Sequence, residues 1–149
     1  MNRKLIGIGA AFLLMLGFLA CDPPETNGAA EGNDGDGEVT EDGPSGIDNA
    51  GITEFPDDPA LVEEGEELFS SLGCAGCHQM GRDGAGPALG DVAERRSAAW
   101  IARIIIDPAG MRDQDPEAAA LSEDFPAPMI STTSDPDQIK AILAYLNAQ

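Results

Sequence analysis

Cys74, Cys77 and His78 are the residues of this chain best equipped for chemistry, standing together as Cys74-Ala75-Gly76-Cys77-His78. Two thiols at this spacing can each form a thioether to a porphyrin vinyl group, and the adjoining imidazole then lies under the iron as an axial ligand. Cys-x-x-Cys-His is in this way the attachment sequence of a c-type haem. Other chemistries share part of the pattern, and the surrounding sequence speaks against them. A dithiol redox pair needs a βαβ setting, and no strand-like run of Val and Ile precedes Cys74. A closed zinc site needs four ligands, usually a second Cys/His pair, whereas the chain has only three Cys and one His. One covalently bound haem c is the expected cofactor.

The elements that must position this motif read as helices, with no convincing alternation of a strand. Asp58 followed by Pro59 is an acidic cap before a proline at the first helical position. Leu61, Val62, Gly65, Leu68, Phe69 and Leu72 then recur at helical spacing, and Gly73 can end the helix in a left-handed conformation. A middle helix starts from Ser97, carries Trp100, Ile101, Ile104 and Ile105, and stops at Asp107-Pro108. The last begins at Asp135-Pro136, with Gln138 placed for a capping box and Ile139, Ile142, Leu143 and Leu146 on one stripe. Residues 58–149 thus form the expected haem domain, small for an unaided core but able to pack around a large apolar cofactor.

The N-terminal part has a different character. Arg3 and Lys4 precede an apolar run of 16 residues, Leu5 to Ala20, short of the ~20 needed to span a membrane comfortably. Residues 1–20 read as a signal peptide. Cys21 follows directly, as at a bacterial lipoprotein cleavage site, although Phe18 and Leu19 depart from the usual residues there. An ordinary cleaved signal or an uncleaved anchor are the alternatives. Lipidation of Cys21 would assign all three cysteines. Residues 22–57 hold eleven acidic residues and no Lys or Arg, with many Gly and Pro. Such a segment is expected to be a disordered, self-repelling tether. The chain carries a net charge of −19, and residues 58–149 alone are near −10. With no basic stripe to neutralise phosphates, nucleic acid binding is excluded from the reading.

Over essentially all of residues 58–149 the chain resembles the class I monohaem cytochromes c. The resemblance rests on the Cys74–His78 motif, on Gly65 and Phe69 at the small and aromatic positions of the N-terminal helix, on Tyr145 or Leu146 opposite them, and on Gly86-Pro87 a few residues after the motif. It implies an all-α cytochrome c fold of three to four helices wrapped around one covalently bound haem. It also implies that the Pro87 carbonyl accepts the Nδ1–H of His78. Because His78 is the only histidine, a sixth ligand from within the chain is expected to be a Met. Met80 stands too close to His78 to reach the opposite face. Met111 and Met129 remain, and the family's ligand position, shortly before the final helix, matches Met129 in Phe125-Pro126-Ala127-Pro128-Met129. In relatives an indole N–H and an Arg often hydrogen-bond a haem propionate, which makes Trp100 and Arg96 candidates; Trp100 fits a plain core role equally well.

Two functions follow from these residues. One is a one-electron carrier with His78 and Met129 on the iron, moving between a redox donor and acceptor. Its partners would include a membrane-bound oxidase or reductase with a basic docking face, met by a monomer lipid-anchored on the periplasmic side of the cytoplasmic membrane. The alternative is a five-coordinate haem that binds or activates a small ligand, as a gas sensor or minor peroxidase. It requires Met129 to be free of the iron, and the sequence offers no distal base for it.

Overall fold

Four Asp-Pro steps organise the fold. Asp58, Asp107, Asp115 and Asp135 each precede a proline at the first helical position, and each carboxylate accepts backbone N–H groups of the turn it starts. The proline costs nothing there, since that N–H has no partner within the helix, and the aspartate satisfies the donors that follow. The computed structural model describes residues 39–149. The expected signal peptide 1–20, Cys21 and the acidic stretch as far as residue 38 lie outside the described residues.

In chain order the elements are a minimal hairpin, β1 (Val39–Thr40) with β2 (Gly43–Pro44), then α1 (Pro59–Ser71), a 3-10 turn (Cys74–Gly76), α2 (Val92–Arg95), α3 (Ala98–Ile106), α4 (Pro108–Gln114), α5 (Pro116–Asp124) and α6 (Pro136–Asn147). The architecture is all-α apart from the hairpin. The three helices expected from apolar periodicity are present with their caps: Asp58 for α1, Ser97 for α3 and Asp135 for α6. The count of three to four is corrected to six among the described residues. Asp107-Pro108 ends α3 and at once begins α4. The additional helices α2, α4 and α5 are short and bury one residue each, Val92, Met111 and Ala118. With so little apolar periodicity, α4 and α5 rest on their Asp-Pro starts.

The capping box at α6 takes a different route from the one expected. Gln138 Oε1 accepts the Thr133 hydroxyl at 2.7 Å, and that hydroxyl oxygen accepts the Asp135 N–H at 3.1 Å. Thr133 therefore relays the bond that a direct box would make.

Helices α1 and α6 cross at Gly65. A Cβ there would collide with the Ala141 carbonyl and lie 2.7 Å from Tyr145 Cβ. The Phe69 and Tyr145 rings meet one helical turn on, with centroids 5.5 Å apart at 49°. Ile139, Ile142, Leu143 and Leu146 of α6 are buried together with Trp100, Ile101 and Ile105 of α3.

The expectation of a disordered tether up to residue 57 is corrected over its second half. Residues 39–57 pack on the domain as a strap: Ile47 and Ile52 belong to the core, and Pro44 is fully buried. Gly43, at φ 88°, lets the backbone lie close to Trp100 and Met111, where a side chain would crowd both. Arg103 of α3 fastens the strap through its guanidinium, which donates to the carbonyls of Ile47 at 2.9 Å and of Asp42. Averaged composition hides this segment, because two isoleucines and a borrowed arginine give it the burial and the hydrogen bonds that its acidic residues lack.

Candidate functional site

The Cys-x-x-Cys-His motif is shaped by the end of α1. Gly73 adopts φ 85° immediately after the helix, and the chain then tightens into the 3-10 turn. The carbonyl of Cys74 accepts both the Cys77 N–H at 3.1 Å and the His78 N–H at 3.0 Å. This turn brings both thiols and the imidazole to one side, facing a cleft of about 450 Å³.

Residues 77–90 brace the imidazole. The loop is closed by Gly86 N–H to Cys77 O at 3.0 Å, Leu89 N–H to Gln79 O at 2.9 Å and Gly90 N–H to Met80 O at 3.0 Å. Within it the Pro87 carbonyl lies 2.9 Å from His78 Nδ1. A carbonyl can only accept, so Nδ1 carries the proton and Nε2 keeps its lone pair for a metal. Gly86 lies flat against the ring, where an added Cβ would stand 2.5 Å from Cε1. Thus the glycine and the proline of the Gly-Pro pair have separate tasks, one giving room to the ring and the other fixing its tautomer.

The cleft walls are apolar, formed by Phe69 of α1 and Leu72 directly after it, Ile101, Ile104 and Ile105 of α3, Leu121 of α5, and Ile142 and Leu146 of α6. Cys74, Cys77, His78, Pro87, Arg96, Trp100 and Met129 all line it. Met111 does not: it is fully buried beneath Gly43, on the strap side of α4. Met129, 40 % exposed, sits at the rim with Ile130, 70 % exposed.

Trp100 lines the cleft with its ring, but its indole N–H donates to Asp115 at 3.3 Å. That bond matches the core role that the sequence offered for Trp100 alongside a propionate contact. Arg96 stacks over the Trp100 ring, 5.0 Å from the centroid, and pairs with Glu117 at 3.0 Å. Arg95 is held by Asp91 at 2.7 Å and by the Ala88 carbonyl at 3.1 Å. The Arg95 guanidinium in turn pulls the Asp91 carboxyl below its ordinary range.

Sequence reasoning missed three contributors. Arg112 lines the cleft from α4, so three of the six basic residues of 58–149 gather there in a chain of net charge −19. Thr132 lines the cleft beside the Cys74 thiol. Burial pushes that thiol up, outweighing the opposing influence of the backbone and of Thr132. Asp115 holds Trp100. The Asp115-Pro116 pair was a readable signal; nothing in the sequence marks Thr132.

Apolar walls, two thiols, a tautomer-fixed imidazole, a thioether sulfur and three guanidinium groups suit a flat apolar macrocycle that carries an iron and two carboxylates. Among the described residues, no cluster of His, Cys, Asp and Glu could hold a metal ion unaided. The family model described as Cytochrome c matches residues 62–149. The chain belongs to the cytochrome c family. A cytochrome c from Rhodothermus marinus is 33 % identical, with a TM-score of 0.60, and the match covers 62 % of this chain and 79 % of that one. An engineered form of the Rhodothermus marinus cytochrome, bound to a carbene intermediate, aligns with a TM-score of 0.56 at 33 % identity, covering 62 % and 80 % of the two chains. Cytochrome c-551 of Stutzerimonas stutzeri is 46 % identical over 39 residues, 26 % of this chain; the match spans 38 % of the relative's length. This cytochrome has the all-α cytochrome c fold and takes a covalently bound haem c, and haem-based electron transfer is its general chemistry.

Proposed function

We propose that this cytochrome is a single-haem, one-electron carrier whose iron is held between His78 and Met129. The observation that carries the reading is that both side chains line the same apolar cleft, whereas Met111, the competing thioether, is buried in the core. When bound, the haem supplies Fe(III)/Fe(II) exchange, which a His/Met ligand pair supports without a change of coordination. Cys74 and Cys77 would hold the haem through thioethers to its vinyl groups. Pro87 holds the Nδ1–H of His78, so the ring cannot rotate and Nε2 stays a strong donor. Pro126 and Pro128 stiffen the loop that presents Met129, which lowers the entropy lost in holding a weak ligand. Arg95, Arg96 and Arg112 offer charge-assisted donors to the propionates.

The decisive experiment is the visible spectrum of the oxidised protein. A methionine-sulfur to iron charge-transfer band is expected in the wild type and in Met111→Ala, and its loss in Met129→Ala. A high-spin wild-type spectrum, or a band that survives Met129→Ala, overturns the ligand assignment and favours a five-coordinate ligand-binding haem.

The same reading includes anchoring at Cys21 on the periplasmic side of the cytoplasmic membrane, and transient docking as a monomer on a donor and acceptor with basic faces, steered by the acidic surface. Mass spectrometry of the mature N-terminus tests the anchor in wild type and Cys21→Ser. A wild-type protein that begins elsewhere and carries no lipid refutes it. Turnover with a membrane-bound oxidase should fall as salt screens the attraction; a rate independent of ionic strength removes the basic partner.

A further inference from the structure

Asp115 is the one buried charged side chain among the described residues, at 3 % exposure. Its bonds join two walls of the haem cleft. Oδ1 accepts the N–H groups of Glu117 at 3.0 Å and Ala118 at 2.9 Å, starting α5, while Oδ2 accepts the Trp100 indole N–H of α3 at 3.3 Å. Trp100 and Ala118 both face the cleft. Behind them Asp115 borders a second cavity of about 540 Å³, which also touches Arg95, Arg96 and Glu117. All three donors to Asp115 are uncharged, so they satisfy its oxygens without cancelling its charge. The two cations that border this cavity are already matched, Arg96 by Glu117 at 3.0 Å and Arg95 by Asp91 at 2.7 Å.

We propose that Asp115 is a positioning residue that sets the reduction potential of this cytochrome. By accepting the Trp100 indole N–H it withholds that donor from the haem, and it fixes a negative charge directly behind the Trp100 wall. An uncompensated anion beside the haem, in a setting far less screening than water, favours Fe(III), the state with one more positive charge. The bond also fixes the orientation of the Trp100 ring, leaving the propionates to the three arginines. The proposal rests on haem occupying this cleft and is independent of which Met binds the iron.

Spectroelectrochemical titration of the purified haem-loaded protein tests it. Asp115→Asn and Asp115→Ser both remove the charge, and the serine hydroxyl still caps α5. Each is expected to shift the equilibrium toward Fe(II) about tenfold, ~59 mV for a one-electron couple. Asp115→Glu, which keeps the charge, should stay within about twofold of wild type, a difference below ~20 mV on the same scale. Trp100→Phe removes the N–H but not the carboxylate and should shift less than either neutral variant. Asp137→Asn, the same charge change on an exposed helix start, should leave the equilibrium within about twofold, again below ~20 mV. The proposal is overturned if both neutral variants keep the wild-type equilibrium, which would make Asp115 a helix cap alone. It is equally overturned if Trp100→Phe reproduces their full shift, or if neither neutral variant yields a folded, haem-loaded protein. The spectrum of each variant separates a failed proposal from a missing haem.

Discussion

Replacing Gly65 by alanine should destabilise this cytochrome by about 2 kcal/mol, although alanine is the better helix former. In isolation the exchange would favour α1 by roughly 1 kcal/mol. Against that, the new methyl would lie 2.6 Å from the Ala141 carbonyl carbon and 2.7 Å from Tyr145 Cβ, where carbon atoms normally approach no closer than ~3.5 Å. Two of the obstructing groups are the Ala141 carbonyl oxygen and carbon, so no side-chain rotation can relieve the clash and the helices must separate. Such overpacking costs about 1–3 kcal/mol, and separation also weakens the tilted Phe69–Tyr145 ring pair, a contact worth roughly 0.5–1.5 kcal/mol beyond its buried area. A net loss of ~2 kcal/mol lowers Tm by about 10 °C in a domain of this size. Thermal unfolding followed at a haem band measures it, with Gly76→Ala as the comparison, because nothing lies within 4 Å of a Cβ at that position. If Gly65→Ala melts at or above the wild-type temperature, the close crossing of α1 and α6 is not what holds the first helix.

Gly86→Ala should retain haem through Cys74 and Cys77 but push His78 off the Pro87 carbonyl, weakening its donation to iron and raising the potential; an unchanged potential in the titration would refute this. Met111→Ala should cost about 2–5 kcal/mol in denaturant unfolding while keeping the methionine charge-transfer band, the opposite of what Met129→Ala should do. Replacing Ile47 and Ile52 together by alanine should cost several kcal/mol, on the order of 2–5 for each buried isoleucine, read from the denaturant midpoint. A loss no larger than that of a surface substitution would return residues 39–57 to the status of a loose tail.

Where the sequence carried both a period and a punctuation mark, it was legible. The stripe from Leu61 to Leu72 with Gly73 after it, the stripe from Ile139 to Leu146, and Ser97 before Trp100 each gave an element with its end in the right place. Three short helices were not legible, because α4 and α5 depend on caps at Asp107 and Asp115 more than on an apolar face. Within the site, the motif gave Cys74, Cys77 and His78, and a resemblance gave Pro87, whose carbonyl does meet Nδ1. Trp100 shows the limit of such reasoning. The sequence shows that an indole is present, but not that a buried carboxylate fifteen positions on takes its N–H. Arg112 and Thr132 were missed for a related reason, since they reach the cleft through the path of the chain and leave no local pattern.

The strap also decides where mechanical load enters the molecule. The family match begins at residue 62, in the first turns of α1, yet the chain is already fastened at Asp42 and Ile47 by the Arg103 guanidinium, and Ser97 adds a longer contact to the Glu41 carbonyl at 3.4 Å. A pull transmitted from residue 39 would therefore reach α3 and the Trp100 wall before it reached α1. The first bonds to break would be those between the strap and Arg103, with the α1–α6 crossing and the Cys74–His78 turn shielded behind them. In force spectroscopy the strap should peel as a separate low-force event, and the haem spectrum should change only at the second rupture.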